Sequence, residues 1–348
     1  MNRRILGGTG ISVSDMALGA MMFGAMGNPD HEDSVRIIHR ALDAGINLID
    51  TADVYSAGES EEIVGTAIRG RRDNVVLASK FGLPRGEDPN QRGASRRWIR
   101  QAVEASLRRL GTDHLDLYQL HRPDHDTDPG ETLSALSELV QAGKILAFGS
   151  SMFPAETIVE AQWTAERRGT TRFLTEQTMY SILTRRPEAS VFPVTQRHNL
   201  GVLTFSPLNG GWLSGRTDLS SSHRASGRPS HYDPSSPTGQ AKAAAVAKLS
   251  TLAAEVGVTL PQLAVAFVRS HPAVTSVLIG PRTQEQLDSL LPAAGLELTG
   301  DILDRIDEIV PPGTELDPAD NYAATPPAIE HAHLRRRVQT SVQTSGNV

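Results

Sequence analysis

Length, composition and charge exclude several classes of protein. The chain has 348 residues and a formal net charge of -6 at pH 7. This balance offers no basic surface, so we expect neither nucleic acid nor membrane as a partner. The sequence contains no cysteine, which excludes disulfides, thiolate nucleophiles and cysteine-ligated metals. No apolar run approaches the roughly 20 residues of a membrane span and no signal-peptide core follows the N-terminal arginines, so we expect a cytoplasmic protein.

A repeating pattern organises the chain from about residue 16 to residue 290. Short apolar or β-branched runs alternate with stretches of helical spacing, which is typical of parallel strands joined by crossover helices. The predicted strands are 16–18, 46–50, 75–79, 115–121, 145–150, 174–179, 202–205 and 276–280. Eight such units fit a (β/α)8 barrel of the α/β class, a TIM barrel, and we expect residues 1–310 to form it as a single domain.

Two helices carry clear start and stop signals. The spacing predicts a helix over 35–42, with Asp33 as its N-terminal cap and Gly45 at its end. A second helix is predicted over 98–110, and Gly111 is its stop signal.

The glycine-rich segment 7–12, GGTGIS, superficially matches a dinucleotide-binding fingerprint. The fingerprint requires a preceding buried strand, but only Ile5 and Leu6 precede this segment, and Val13 stands where the third glycine belongs. We therefore expect a β-hairpin turn that closes the bottom of the barrel.

Two other regions depart from the barrel pattern. Residues 215–239 are rich in Ser, Arg, Pro and Gly and are predicted to form a long functional loop or a disordered insertion. Residues 311–348 are expected to form a C-terminal surface arm, partly disordered, in which His331 and His333 are solvated rather than metal ligands.

Four ionisable residues fall at or just beyond the ends of three consecutive predicted strands. Asp50 and Tyr55 follow the second strand, Lys80 follows the third, and His121 ends the fourth. In a parallel barrel these ends share the face on which active sites lie. Taken singly, they could be a turn cap, a surface aromatic, a solvated charge and a core histidine. Taken together, they predict one site.

The chemistry of this set suits proton donation to a carbonyl oxygen. A phenol has a reference pKa near 10, so Tyr55 needs a neighbouring cation to exchange a proton near neutrality, and Lys80 is the candidate. Asp50 would keep Lys80 charged and in place. His121 could orient the carbonyl oxygen or act as the acid itself.

These residues lie in segments that resemble the aldo-keto reductases, in particular the branch with bacterial aldehyde and ketone reductases and potassium-channel β subunits. The matching segments are NLIDTADVYSAGESEEIVGTAI, VVLASKFG and EASLRRLGTDHLDLYQLHRPD. The resemblance extends over about residues 6–290. It implies a catalytic tetrad of Asp50, Tyr55, Lys80 and His121, with Tyr55 as general acid and His121 positioning the substrate.

The resemblance also implies a nicotinamide cofactor. Ser151 and Gln177 match residues that bind the nicotinamide carboxamide, and Phe205 matches an aromatic ring that stacks on the nicotinamide. Met152 stands where the family usually has asparagine, so one hydrogen-bond donor is missing. Ser206 and Leu208 follow in the loop whose backbone approaches the pyrophosphate.

The segment SVLIGPRTQEQLDSL resembles the part of the family that holds the adenosine 2′-phosphate. It includes Gly280, and Arg282 would pair with the phosphate while Gln286 contacts adenine. Leu290 replaces a usual asparagine. A guanidinium suits a phosphate dianion, so NADPH is favoured over NADH, although Arg282 could equally be a surface residue at a helix N-terminus.

Three functions follow as hypotheses. The first is NADPH-dependent reduction of a small aldehyde or ketone, and the second is a nicotinamide-binding regulatory or sensor subunit with little turnover. The third, a metal-dependent barrel hydrolase, needs more ligands than His121 and Asp50. Phe23, Met152 and Trp212 suggest an apolar mouth to the substrate site, with Phe23 contacting the substrate beside Tyr55 and His121. The sequence indicates no oligomeric state.

Overall fold

The computed structural model describes residues 1–216, 232–320 and 327–336. It begins with an antiparallel hairpin of strands β1 (Arg3–Ile5) and β2 (Ser12–Ser14), joined by the short 3-10 turn Gly7–Thr9. Leu6 and Val13 of this hairpin are fully buried against residues inside the barrel, among them Leu48 and Leu203. The predicted hairpin is therefore confirmed, and it closes one end of the barrel.

Eight parallel strands form a closed barrel, which confirms the predicted fold. In chain order they are β3 (Met16–Gly19), β4 (Leu48–Asp50), β5 (Val76–Phe81), β6 (Leu115–Leu120), β7 (Ile145–Ser151), β8 (Thr175–Met179), β9 (Gly201–Phe205) and β10 (Val274–Ile279). The barrel closes where β10 pairs with β3, with Leu278 opposite Ala17. These strands are buried on both faces, as expected for a parallel sheet covered by helices.

Helices connect the successive barrel strands, as expected for crossover connections, and further helices follow β10. The helices are α1 (His31–Asp43), α2 (Glu59–Ile68), α3 (Arg96–Leu110), α4 (Pro129–Gln141), α5 (Ala155–Arg168), α6 (Val191–Arg197), α7 (Pro237–Glu255), α8 (Leu260–Ser270), α9 (Gln284–Leu290), α10 (Gly300–Ile309) and α11 (Pro327–Glu330). Over the described ranges, no single helix has the length and apolarity to cross a membrane. Helices α7 and α8 pass that test only as a pair bent by 92°.

The helix ends correct one prediction. Asp30, not Asp33, caps α1, because its side chain accepts the backbone N–H of Asp33. Asp33 lies inside the first turn, where its negative charge complements the helix dipole. The stop signals are confirmed: Gly45 (φ 94°) follows the end of α1, and Gly111 (φ 63°) caps α3 in the left-handed conformation that glycine adopts readily.

The segment that follows Pro311 contacts the rest of the chain over residues 311–320. Its backbone bonds to the loop after β8, since Arg185 donates to the carbonyl of Thr314 over 2.7 Å. Asp317 and Asp320 are buried. Two carboxylates of this stretch thus pair with a buried lysine on α7, while five of its ten residues are exposed, and a C-terminal arm over 311–348 stays a prediction.

Other parts of the two irregular regions lie outside the described residues. These parts are 217–231 of the predicted long loop, and 321–326 and 337–348 of the tail. His331 is exposed, and the side chain of His333 is outside the description. The division of the chain at residue 310 stays a prediction.

Candidate active site

The structure brings together the four ionisable residues predicted from the strand ends. Asp50 ends β4, Lys80 lies in β5, His121 follows β6 directly, and Tyr55 begins a 3-10 turn after β4. The ammonium of Lys80 forms an ion pair with Asp50. It also donates to the carbonyl of Thr51 over 2.9 Å and to the hydroxyl oxygen of Tyr55 over 3.3 Å. Lys80 therefore joins Asp50 to Tyr55.

Asp50 is held by further donors from neighbouring strands. The side-chain amides of Gln119 and Gln177 both donate to its second oxygen, over 3.1 Å and 2.9 Å. Gln119 was not predicted as a site residue, although it lies opposite Lys80 in the pairing of β5 and β6. The sequence does contain a sign of its role: Gln119 precedes His121 by two residues in a predicted strand, and alternate residues of a strand face the same side.

Lys80 keeps its charge although it has no solvent exposure. Burial alone would lower the pKa of its ammonium, but Asp50 and Tyr55 raise it by charge and by hydrogen bonds, and the net pKa lies above the usual value. The site therefore contains a fixed positive charge next to the Tyr55 hydroxyl.

His121 is neutral in this environment. Burial, together with the charges of Lys80 and Arg122, holds the pKa of its imidazole well below the usual value. Its ring meets that of Tyr55 edge-on, with centroids 5.8 Å apart and planes at 84°. Its Nδ1 is buried and has no hydrogen-bond partner among the described residues.

A cavity of about 740 Å³ opens from this cluster across the C-terminal ends of the strands. Asp50, Tyr55 and His121 lie at its inner end, and Lys80 lies behind them. The lining includes all the residues expected to bind a cofactor: Ser151, Gln177, Phe205, Ser206, Leu208, Gly280, Arg282 and Gln286. Leu290 also lines it. One continuous cleft thus connects the ionisable cluster to Arg282.

Three apolar residues expected at the mouth of the cavity do not line it. Phe23 is fully buried in the core between barrel and helices, and Trp212 is also buried. Met152 is also buried, and its sulfur accepts a hydrogen bond from the hydroxyl of Thr178 over 3.9 Å. Its backbone has a left-handed φ of 58°. Asparagine tolerates that conformation better than methionine does.

The segment that contains Phe23 contributes methionines to the cavity instead. Met21, Met22 and Met26 line it, together with Val54 and Leu83 from other loops. The chain turns after β3, so the ring of Phe23 faces the core while its neighbours face the cleft. Three methionines within six residues could have predicted this apolar lining, since methionine is common at adaptable apolar binding surfaces.

Two of the expected cofactor residues also make bonds within the protein. Gln177 donates its amide N–H to Asp50, as described above, which leaves its side-chain oxygen available as an acceptor. Gln286 accepts the backbone N–H of Arg282 over 2.8 Å and so fixes the start of α9. The guanidinium of Arg282 forms no hydrogen bond or ion pair with any residue that the structure describes.

Glu176 lies in β8 opposite Ser150 of β7 and is fully buried. It accepts hydrogen bonds from the hydroxyl of Ser150 and from the backbone N–H of Phe153. Burial raises the pKa of its carboxyl to about 8, although these bonds and the charge of Arg122 oppose the rise. Its side chain does not line the cavity, and the sequence reasoning did not single it out.

Comparisons with known proteins agree with this architecture. Residues 15–311 match the sequence model of the Aldo/keto reductase family. The chain is 38% identical over 341 residues to the uncharacterized oxidoreductase YrpG of Bacillus subtilis, covering 90% of this chain and 98% of that protein. It is 35% identical over 329 residues to the aldo-keto reductase YhdN of the same organism, covering 92% and 97%. It is also 32% identical over 320 residues to a probable voltage-gated potassium channel subunit beta of Arabidopsis thaliana, covering 89% and 97%.

Proposed function

Since the chain belongs to the aldo/keto reductase family, we propose that it reduces small aldehydes or ketones to alcohols with NADPH. One observation carries this proposal. The hydroxyl of Tyr55, which faces the cavity, lies 3.3 Å from a fully buried ammonium that is itself paired with Asp50. This arrangement offers a proton donor whose conjugate base is stabilised at the inner end of a cleft.

The cleft residues fit a nicotinamide dinucleotide. At the inner end, Ser151 and the free oxygen of Gln177 are suited to a carboxamide, because Gln177 has already committed its N–H to Asp50. Phe205 offers a ring on which a nicotinamide stacks. At the other end, Arg282 offers guanidinium N–H groups without a partner in the described residues, which suits a 2′-phosphate.

Tyr55 is the proton donor in this proposal. When bound, a dihydronicotinamide supplies a hydride to the carbonyl carbon, and the hydroxyl of Tyr55 transfers its proton to the carbonyl oxygen. The positive charge of Lys80 stabilises the phenolate that remains. Opposite unit charges 3.3 Å apart, the distance between the Lys80 ammonium and the Tyr55 oxygen, interact by roughly 5 kcal/mol at an effective dielectric constant of about 20. Asp50 keeps Lys80 charged and oriented.

His121 orients the substrate. Because its imidazole is neutral, it carries one N–H, which donates to the same carbonyl oxygen that Tyr55 protonates. The methionines Met21, Met22 and Met26 and the side chains of Val54 and Leu83 exclude water on the substrate side. A general acid, an orienting donor and a dry surface therefore meet at one place.

The substitution Tyr55→Phe tests this function. We expect kcat for a panel of aldehydes and ketones to fall by about 10²- to 10⁴-fold, while NADPH binding measured by cofactor fluorescence is retained. Tyr118→Phe is the matched control, since the buried Tyr118 hydroxyl has no hydrogen-bond partner in the described part of the chain. Near wild-type turnover by Tyr55→Phe contradicts the proposal.

A second candidate is a nicotinamide-binding regulatory subunit with little turnover. The similarity to probable potassium channel β subunits of plants supports it. A broad screen of carbonyl compounds separates the two candidates: NADPH oxidation that depends on Tyr55 favours the reductase, and tight NADPH binding without any turnover favours the regulatory subunit.

A further inference from the structure

A buried ion cluster lies behind the cleft, outside the residues assigned above. Lys242 of α7 has no solvent exposure. Its ammonium pairs with Asp317 over 2.9 Å and with Asp320 over 2.8 Å, both in the segment that follows Pro311. Burying one lysine with two carboxylates costs desolvation energy that only close pairing offsets. The cluster thus fastens the C-terminal segment to α7.

Asn209 connects this cluster to the cleft. It lies in the segment 205–211, here called the cleft segment. The members that line the cavity are Phe205, Ser206, Pro207, Leu208, Gly210 and Gly211. Asn209 points the other way and is 3% exposed. Its amide N–H groups donate to Asp320 over 3.1 Å and to Thr184 over 2.9 Å, so this side chain anchors the cleft segment to the ion cluster.

The backbone of the cleft segment is strained. Ser206 and Asn209 have left-handed φ values of 58° and 48°. Residues other than glycine rarely adopt this conformation, although asparagine does so more readily than serine, so the strain is greatest at Ser206 and persists only where the surroundings hold it. The shape that the segment presents to the cleft therefore depends on the contacts made by Asn209.

We propose that Asn209, Asp320 and Lys242 form a latch that fixes the shape of the cleft segment and so sets the rate at which NADPH leaves. That NADPH occupies the cleft depends on the function proposed above. That the latch fixes the backbone of the cleft segment does not depend on it. These are positioning residues, because they act through the backbone of Ser206, Leu208 and their neighbours.

The substitution Asp320→Ala tests the latch. It removes the Asp320 acceptor of the Asn209 amide, which still donates to Thr184, and it leaves Lys242 paired with Asp317. We expect faster hydrogen exchange at the amides of Asn209 and Gly211, which bond to the carbonyls of Ser206 and Leu208. We expect NADPH to dissociate about tenfold faster in stopped-flow fluorescence, with the single-turnover rate of hydride transfer unchanged.

Two further variants separate positioning from general stability. Asp320→Asn retains an acceptor for Asn209 and is expected to restore most of the slow dissociation. Asn209→Gly permits the left-handed backbone and leaves Lys242 fully paired, so it gives the accelerated exchange and dissociation even if Asp320→Ala does not fold.

The control is Asp15→Asn, which breaks another buried ion pair. Asp15 precedes β3 at the opposite end of the barrel and pairs with Arg269 over 2.7 Å. The substitution Asp15→Asn should lower the melting temperature without changing hydrogen exchange in the cleft segment or the rate of NADPH release.

The latch is overturned if the amides of Asn209 and Gly211 exchange at the wild-type rate in both Asp320→Ala and Asn209→Gly. This result would count even if the protein binds no dinucleotide. Equal acceleration by Asp15→Asn also overturns the latch. Failure of the latch is therefore distinct from failure of the proposed function.

Discussion

Tyr55 is half-buried and meets the ammonium of Lys80, which is fully buried, at 3.3 Å. Lys80 is fixed on its other sides by Asp50 and by the carbonyl of Thr51. Tyr55 lines the cavity, whereas Lys80 does not. In the proposed function the two residues therefore have separate tasks, since the buried Lys80 supplies charge and Tyr55, rather than Lys80, contacts the substrate.

Replacing Lys80 by methionine should affect activity and stability together. We expect kcat to fall by about 10²-fold or more, because the phenolate of Tyr55 loses its counter-charge. The free energy of unfolding should fall by about 3–5 kcal/mol, because Asp50 stays buried without its ion-pair partner. The double variant Lys80→Met/Asp50→Asn should recover part of the stability but none of the activity. Recovery of kcat in that variant would show that the charge is not needed.

His121 predicts a pH dependence of stability. Its folded-state pKa lies below the reference value of about 6.5, so the unfolded chain binds a proton in a range where the folded protein does not. The contribution of His121 to stability is present above about pH 6.5 and is lost as the pH falls below it. Urea unfolding at pH 5 and pH 7.5 should show a smaller difference in His121→Gln than in the wild type. The exposed His125→Gln is the control, and an unaltered difference in His121→Gln argues against this assignment.

Most of the barrel could be predicted from the sequence, because each strand is an apolar run between turn signals. The predicted strand 145–150 and the observed β7 (Ile145–Ser151) differ by one residue. His121 was predicted as the last residue of a strand and instead follows β6. Such errors at strand ends do not move a side chain away from the C-terminal face, so the site residues still meet.

Contacts between distant parts of the chain account for most of what was missed. Asp317 lies 75 residues from Lys242 in sequence, and no local pattern shows that the two are partners. The orientation of Phe23 depends in the same way on how the chain turns after β3. The direction of the amide of Gln286 depends on the position of Arg282 in the folded protein.

Glu176 predicts a pH dependence of the opposite sign. Its pKa is raised to about 8, so the folded protein holds a proton that the unfolded chain releases above about pH 4.3. Its contribution to stability is complete below that pH and is lost as the pH rises through about 8. Glu176→Gln should therefore be more stable than the wild type at pH 9 by on the order of 5 kcal/mol, and should differ little from it at pH 4. If Glu176→Gln is less stable than the wild type by the same amount at pH 4 and pH 9, ionisation of the Glu176 carboxyl does not destabilise the protein at high pH.

Arg282 gives the sharpest test of cofactor choice. Its backbone is held by Gln286, and its guanidinium is at the outer end of the cavity without an ion-pair partner in the described ranges. A phosphate dianion there gains charge-assisted hydrogen bonds that NADH, which has no 2′-phosphate, does not form. We expect Arg282→Ala to weaken NADPH binding by about 10- to 100-fold and NADH binding by less than about threefold in fluorescence titrations. The exposed Arg36→Ala, which removes an arginine paired with Asp33, should change neither affinity. Equal losses for the two dinucleotides in Arg282→Ala would show that this residue does not read the 2′-phosphate.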